Sequence, residues 1–236
     1  MSRFCHFLLT RFSISLPEEI LLPDNSWLEH RVQLFERLCL PSVITQSCQN
    51  FKWLVFFNSA SRETLLARIR TYGGYGNFVP VWLDGPWDSD ILRWAVAEYA
   101  RGHEYMITSR LDNDDAIATR YIETIQDQFE SQNFEFVNFT NGYILDRQAV
   151  YACQQWSNPF ISLIERGQDF RTALGCGNHL ESSEMGPVRQ VGSFPGWLQV
   201  VHSRNISNRI WGNRVAAEEL APHFSIYPAC LEGPEL

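Results

Sequence analysis

The feature that most constrains this chain is a rhythm. Over residues 1–131, short apolar runs alternate with segments of helical periodicity. Phe4 to Thr10 reads as a strand closing on Thr10-Arg11. Leu28, Val32, Phe35 and Leu38 recur at helical spacing, so Ser26 to Leu40 reads as a helix capped by Ser26, with Pro41 limiting its extension. Trp53 to Phe57 is a buried strand, Ser61 to Arg70 a helix broken by the Gly73–Gly76 turn, and Val79 to Leu83 a third strand. Asp88 caps a helix to Arg101, Tyr105 to Ser109 is the fourth strand, and Ile117 to Ser131 the fourth helix.

Strands alternating with helices predict an α/β fold: a mixed, mostly parallel sheet flanked by helices. Ligands of such sheets bind beyond the carboxyl ends of the strands. Polar residues stand there in turn: Thr10-Arg11, Asn58, Asp84, then Arg110 to Asp115. The second half changes character. Phe134 to Thr140 and Tyr143 to Asp146 flank Asn141-Gly142 and read as a hairpin. Loop-rich segments follow, and Trp197 to Val201 reads as a late strand ending in His202. No linker separates two domains, so 1–236 is expected to be one domain with a tail over 228–236.

The acidic stretch ITSRLDNDDAI, Ile107 to Ile117, sits at the fourth strand end. Crowded carboxylates repel one another unless a cation or a polar ligand offsets them. Hard oxygen ligands suit Mg²⁺ or Mn²⁺, which take one or two carboxylates plus substrate phosphates. An Asp at a strand end can also accept from ribose hydroxyls. A calcium loop is excluded, because the position that demands Gly is Ile117. Helix capping accounts for one of Asp112, Asp114 and Asp115 but not for all three. A glycosidase pair stands roughly 5 to 9.5 Å apart across its substrate, which residues two apart in one loop reach only by accident.

His202 is a second candidate, either a metal ligand or a hydrogen-bonded structural histidine. A reaction at a hydroxyl also needs a base, and Asp146, Glu165, Asp169, Glu181 and Glu184 are available. Glu165 closes an apolar run, where partial burial raises a carboxyl pKa usefully; the alternative is a helix-surface residue.

Net charge −8 argues against wide nucleic-acid contact. The six cysteines lack any C-x-x-C pair, which points to reduced thiols and a cytoplasmic location. The apolar run near the N-terminus is too short for a signal peptide, and no segment approaches the ~20 apolar residues of a spanning helix. The phosphate-loop, dinucleotide, nucleophile-elbow and zinc-protease templates are all missing.

FLLTRFSI, LFERLCLPSVITQS, FKWLVFFNSAS, YMITSRLDNDDAI, NFTNGYILD, NPFISLIE and GWLQVVHSRNISN together resemble the bacterial putative rhamnosyltransferase family, and D-x-D-D resembles the DxD motif of GT-A glycosyltransferases. The resemblance implies a GT-A fold with a nucleotide-sugar-binding half over about 1–131 and an acceptor-side half over about 132–227. It implies a nucleotide-sugar donor, dTDP-L-rhamnose foremost, a divalent metal (Mn²⁺ or Mg²⁺), and a glycan or lipid-linked acceptor at the inner face of a membrane. Carried over, Thr10, Arg11 and Asn58 line the base pocket, Asp112 faces ribose or metal, and Asp114, Asp115 and His202 hold the metal. Asp84 and Arg110 join the donor site by position, and Glu165 is the base of an inverting displacement. Asn58 stands where related sequences often carry Asp. Two other readings remain. A sugar-nucleotide pyrophosphorylase would want a Gly-rich, Lys-bearing loop where TRFSISLP stands. A non-catalytic carbohydrate-binding protein would bind no nucleotide.

Overall fold

A computed structural model describes residues 3–14, 24–85, 88–167, 169–202, 204–205 and 209–232. The first half runs β1 (Phe4–Arg11), α1 (Asn25–Leu34), α2 (Leu40–Ile44), β2 (Lys52–Asn58), α3 (Arg62–Tyr72), β3 (Phe78–Leu83), α4 (Ser89–Ala100), β4 (Tyr105–Arg110), β5 (Ala116–Ile117) and α5 (Tyr121–Asp127). The second half adds β6 (Phe134–Phe139), β7 (Asn141–Asp146), β8 (Ala149–Gln154), β9 (Ser162–Arg166), α6 (Ser182–Met185), β10 (Val188–Val191), β11 (Trp197–Val201) and β12 (Asn213–Val215).

The larger sheet has seven strands in the order β10-β6-β9-β4-β1-β2-β3, and the smaller has five in the order β12-β8-β7-β11-β5. β1 to β4 are mutually parallel where they pair, while β9 runs antiparallel between β4 and β6. This is the expected mixed, mostly parallel sheet.

Strand alternation builds the core on both faces of the large sheet. Leu8, Trp53, Val55 and Phe57 pack with Leu65 and Ile69 of α3 and with Val32 and Phe35. Their sequence neighbours Phe7, Leu9, Leu54 and Phe56 face the other way, against Leu92, Ala95 and Val96 of α4. A third cluster joins the small sheet to the C-terminal segment through Tyr143, Leu145, Leu198, Phe224 and Cys230. The tail expected from Pro228 is therefore packed at its start, because Cys230 is fully buried.

Four local expectations change. Asp24, not Ser26, caps α1, accepting from the Trp27 N–H at 2.7 Å. Pro41 does not end the helix, because a π-turn over Phe35–Cys39 intervenes and the Leu40 N–H bonds to the Phe35 carbonyl. A wider turn is a place where a helix tolerates an irregular residue, and Pro41 then falls in the first turn of α2. The predicted helix from Ile117 begins only at Tyr121, since Ala116 and Ile117 pair with β11. Asn141-Gly142 is not a hairpin turn: β6 and β7 belong to different sheets, and β7 pairs with β8 instead. Gly142 is needed for contact rather than for turning, since a Cβ there would lie 2.1 Å from the Trp197 indole.

All six cysteines are free thiols. Among the described residues no helix is long and apolar enough to cross a membrane.

Candidate functional site

The acidic loop bridges the two sheets. At its start the Leu111 N–H bonds to the Leu9 carbonyl at 3.1 Å, holding the chain to β1 as β4 ends. At its far end β5 pairs with β11. Between them, the Asp115 N–H returns to the Asp112 carbonyl at 3.3 Å, and Asn113 Nδ2 donates to the Phe12 carbonyl at 2.9 Å. The loop backbone is thus fixed from both sides at the carboxyl end of the parallel strands.

Each acidic side chain has its own surroundings. Asp112 is the most open, with 32% of its side chain exposed, and it accepts from Arg110 Nη2 at 3.2 Å. Asp114 has only 7% exposed and meets three donors on one oxygen, Oδ2. His202 Nε2 lies 2.9 Å away, Asn205 Nδ2 lies 3.3 Å away, and the Arg31 guanidinium is in direct ion-pair contact. Burial by itself would raise the Asp114 carboxyl. The His202 hydrogen bond and the Arg31 charge outweigh it and hold the group below the usual carboxylate range.

Asp115 points elsewhere. Its Oδ1 accepts from the Val200 N–H at 2.8 Å, deep in the protein. Burial, compounded by the charges of Asp114 and Asp112, pushes its pKa well up. It fastens the loop to β11 and is not directed at the space shared by Asp114 and His202.

The other expected donor-site residues separate into two groups. Arg110 and Asp84 stand at strand ends as expected, Asp84 exposed and Arg110 largely covered. Arg11 closes β1. Thr10 is fully buried, and its hydroxyl accepts from Trp53 Nε1 at 2.9 Å, so it serves the core rather than an open pocket. Asn58 is buried and uses its amide oxygen to cap a short turn, accepting from the Ala60 N–H at 2.8 Å.

Glu165 is not at this end of the sheet. Its register partner on β4 is Met106, near the start of that strand. At about 3.3 Å per residue, that places it some 20 Å along the strand from Asp112. Its two carboxylate oxygens accept from the Arg171 and Thr172 N–H groups at 2.7 and 2.9 Å. Burial does raise its pKa, as the sequence suggests, but the group braces a loop. By contrast Asp146 ends β7 opposite Val201, one residue before His202. His179 is close enough to Arg110 and Asp112 to feel both charges; burial, reinforced by Arg110, lowers its pKa to about 4.

Three participants carry little or no signal in the sequence. Arg31 is a lone cation inside α1, and Asn113 and Asn205 are simple amides. His30, next to Arg31, sets its ring edge-on to His202 with centroids 5.2 Å apart.

Among the described residues, no three His, Cys, Asp or Glu side chains form a metal cage. Mg²⁺-type sites do not require one, since substrate phosphates and water complete the shell. Asp114 and His202 converge closely enough to supply two protein ligands. An Asp oxygen and a His nitrogen are of the types a divalent metal takes, and in this structure Arg31 occupies the Asp114 oxygen.

The mixed, mostly parallel sheet flanked by helices, with an acidic loop where β4 ends, is GT-A-like in fold. The chain belongs to the putative rhamnosyl transferase family, whose model matches residues 9–214. Among solved structures it is similar to S. aureus TarS 1-349 in complex with UDP-GlcNAc, with a TM-score of 0.53 at 10% identity over 87% of this chain and 62% of that one. The same TarS fragment in complex with UDP gives a TM-score of 0.51 at 9% identity over 84% and 60%. The chain thus spans roughly three fifths of the TarS fragment, and at this identity the likeness is one of fold. No curated protein matches the chain significantly.

Proposed function

We propose that this protein transfers a sugar from a nucleotide-diphosphate donor, dTDP-L-rhamnose foremost, to a hydroxyl of a glycan or lipid-linked acceptor. The reading is carried by the meeting of Asp114 and His202 at 2.9 Å where β4 and β11 end. Family membership supports the choice of rhamnose. Asp112, the most open of the three carboxylates, would face the donor's ribose or the metal. Asp114 and His202 would hold Mn²⁺ or Mg²⁺. When bound, that ion supplies positive charge against the leaving diphosphate. Arg110 orients Asp112 through their ion pair. Displacement at a β-linked anomeric carbon to give an α-linked product inverts the centre and needs one base for the acceptor proton. Asp146, which ends β7 beside Val201 while Glu165 lies near the start of β4, is the proposed base in place of Glu165. The six free thiols support placing the reaction in the cytoplasm.

Calorimetric titration of dTDP and UDP, with Mn²⁺ and with EDTA, tests the reading in wild type and in Asp114→Asn. Binding that needs Mn²⁺ and weakens at least tenfold in the variant is expected. Folded wild type that binds neither nucleotide with Mn²⁺ present overturns this reading and favours a carbohydrate-binding protein.

A further inference from the structure

The oxygen of Asp114 that faces His202 is already taken by a cation. Arg31 reaches it from α1 through Nη1, and the same Nη1 donates to Asn113 Oδ1 at 3.1 Å. A divalent ion and a guanidinium cannot share one carboxylate oxygen at contact distance, because like charges repel. The pocket is also closed: the His202 side chain is fully covered and 11% of the Arg31 side chain is exposed. Anything that reaches Asp114 must move a neighbour.

Arg31 is built to be that neighbour. Its guanidinium carbon sits 5.0 Å from the centroid of the Trp27 ring, one helical turn earlier, a contact that a swinging guanidinium can keep. Its buried Nε has no hydrogen-bond partner among the described residues. The adjacent His30 Nε2 is buried and equally unpartnered. Two such atoms beside one carboxylate mark a place where hydrogen-bonding groups are missing, and the oxygens of a diphosphate would meet both. Arginine forks match phosphate oxygens in geometry as well as charge.

We propose that Arg31 couples metal binding to donor binding, a role that rests on the transferase reading above. Without donor, Arg31 neutralises Asp114 and keeps the divalent ion out. When the nucleotide diphosphate arrives, the guanidinium passes from Asp114 to the phosphates and frees the oxygen for the metal. Metal and nucleotide then bind with positive coupling, and each raises the affinity for the other by the same factor.

Mn²⁺ affinity is measured by electron paramagnetic resonance on the full chain, with and without dTDP, in wild type, Arg31→Gln and Arg31→Lys. Circular dichroism establishes that each variant is folded. Wild type is expected to bind Mn²⁺ at least tenfold more tightly with dTDP than without. Arg31→Gln is expected to bind Mn²⁺ alone at least tenfold more tightly than wild type and to lose most of the coupling. Arg31→Lys, which keeps the charge, should fall between. Mn²⁺ affinity that is unchanged in folded Arg31→Gln overturns the coupling role and leaves the transferase reading standing. Wild type that binds neither dTDP nor UDP at any Mn²⁺ concentration overturns both.

Discussion

Asp115 and Val200 are joined by a 2.8 Å hydrogen bond from backbone N–H to carboxylate, and through it the acidic loop is fastened to the strand that delivers His202. Two segments 85 positions apart in sequence thereby hold a common geometry. Asp115→Ala removes a buried acceptor and leaves a small void. A loss of about 1–3 kcal/mol is expected in urea unfolding. The Mn²⁺ affinity of the folded variant should fall as well, since His202 loses its brace. Unchanged stability would remove the fastening role.

Replacing the two candidate bases separates their roles. Asp146→Asn is expected to lower the transfer rate by about 10²–10⁴-fold with donor binding kept, the size of a general-base contribution. Glu165→Gln should keep the rate within a few-fold, because its carboxylate holds the Arg171 and Thr172 N–H groups far from the acidic loop. Single-turnover assays with a radiolabelled donor distinguish the two. A collapse in Glu165→Gln with normal folding would reinstate it.

A buried histidine gives the fold an acid limit. His6 is wholly enclosed, with Nε2 2.9 Å from Ser109 Oγ and Nδ1 3.2 Å from Gln126 Nε2. Burial lowers its pKa from 6.5 to about 3. The native state therefore holds this imidazole neutral while the unfolded chain protonates it. The contribution is complete above 6.5 and is lost as pH falls below that value, at up to about 1.4 kcal/mol per pH unit, until the folded pKa is reached. Chemical denaturation between pH 7 and pH 4 should show this slope in wild type and a shallower one in His6→Gln. Equal slopes would assign the acid sensitivity to other groups.

Gly142 is a packing requirement. A methyl group would press on the buried Trp197 indole, which is held by its Nε1 bond to the Phe139 carbonyl at 3.0 Å. Gly142→Ala is expected to destabilise by about 1–3 kcal/mol or more, seen as a lower Tm. A neutral result would mean that the indole can yield.

Much of the first half was legible because its information is local. The runs at Trp53–Phe57 and Val79–Leu83, the Asp88 cap and the apolar spacing from Leu28 to Leu38 each carry a periodicity that nearest neighbours enforce. Errors arise where distant contacts override local preference. Ile117 looks helical, yet β11 draws it with Ala116 into a strand. Asn141-Gly142 looks like a turn, yet Trp197 requires the glycine. The same division runs through the site. Asp112, Asp114 and His202 announce themselves by residue type and by position at strand ends. Arg31 does not, since a single arginine in a helix reads as a solvated charge until folding brings it to Asp114. Glu165 misled for a related reason: its burial is real, but only the antiparallel register of β9 reveals at which end of the sheet it lies.

The two-sided anchoring of the acidic loop divides labour within the site. A span held by β1, by the Phe12 carbonyl and by β11 acts as an anvil, because shifting it would mean unpicking both sheets at once. Adjustment on loading then falls to the side chains that lean against it, the cationic Arg31 and the neutral amide of Asn205. Crystals grown with and without donor should superpose closely in the Leu111–Ala116 main chain while these two side chains take new rotamers. Chemistry that tolerates little error in where charge is placed would gain from this arrangement: the carboxylates stay put and only the groups that neutralise or solvate them travel.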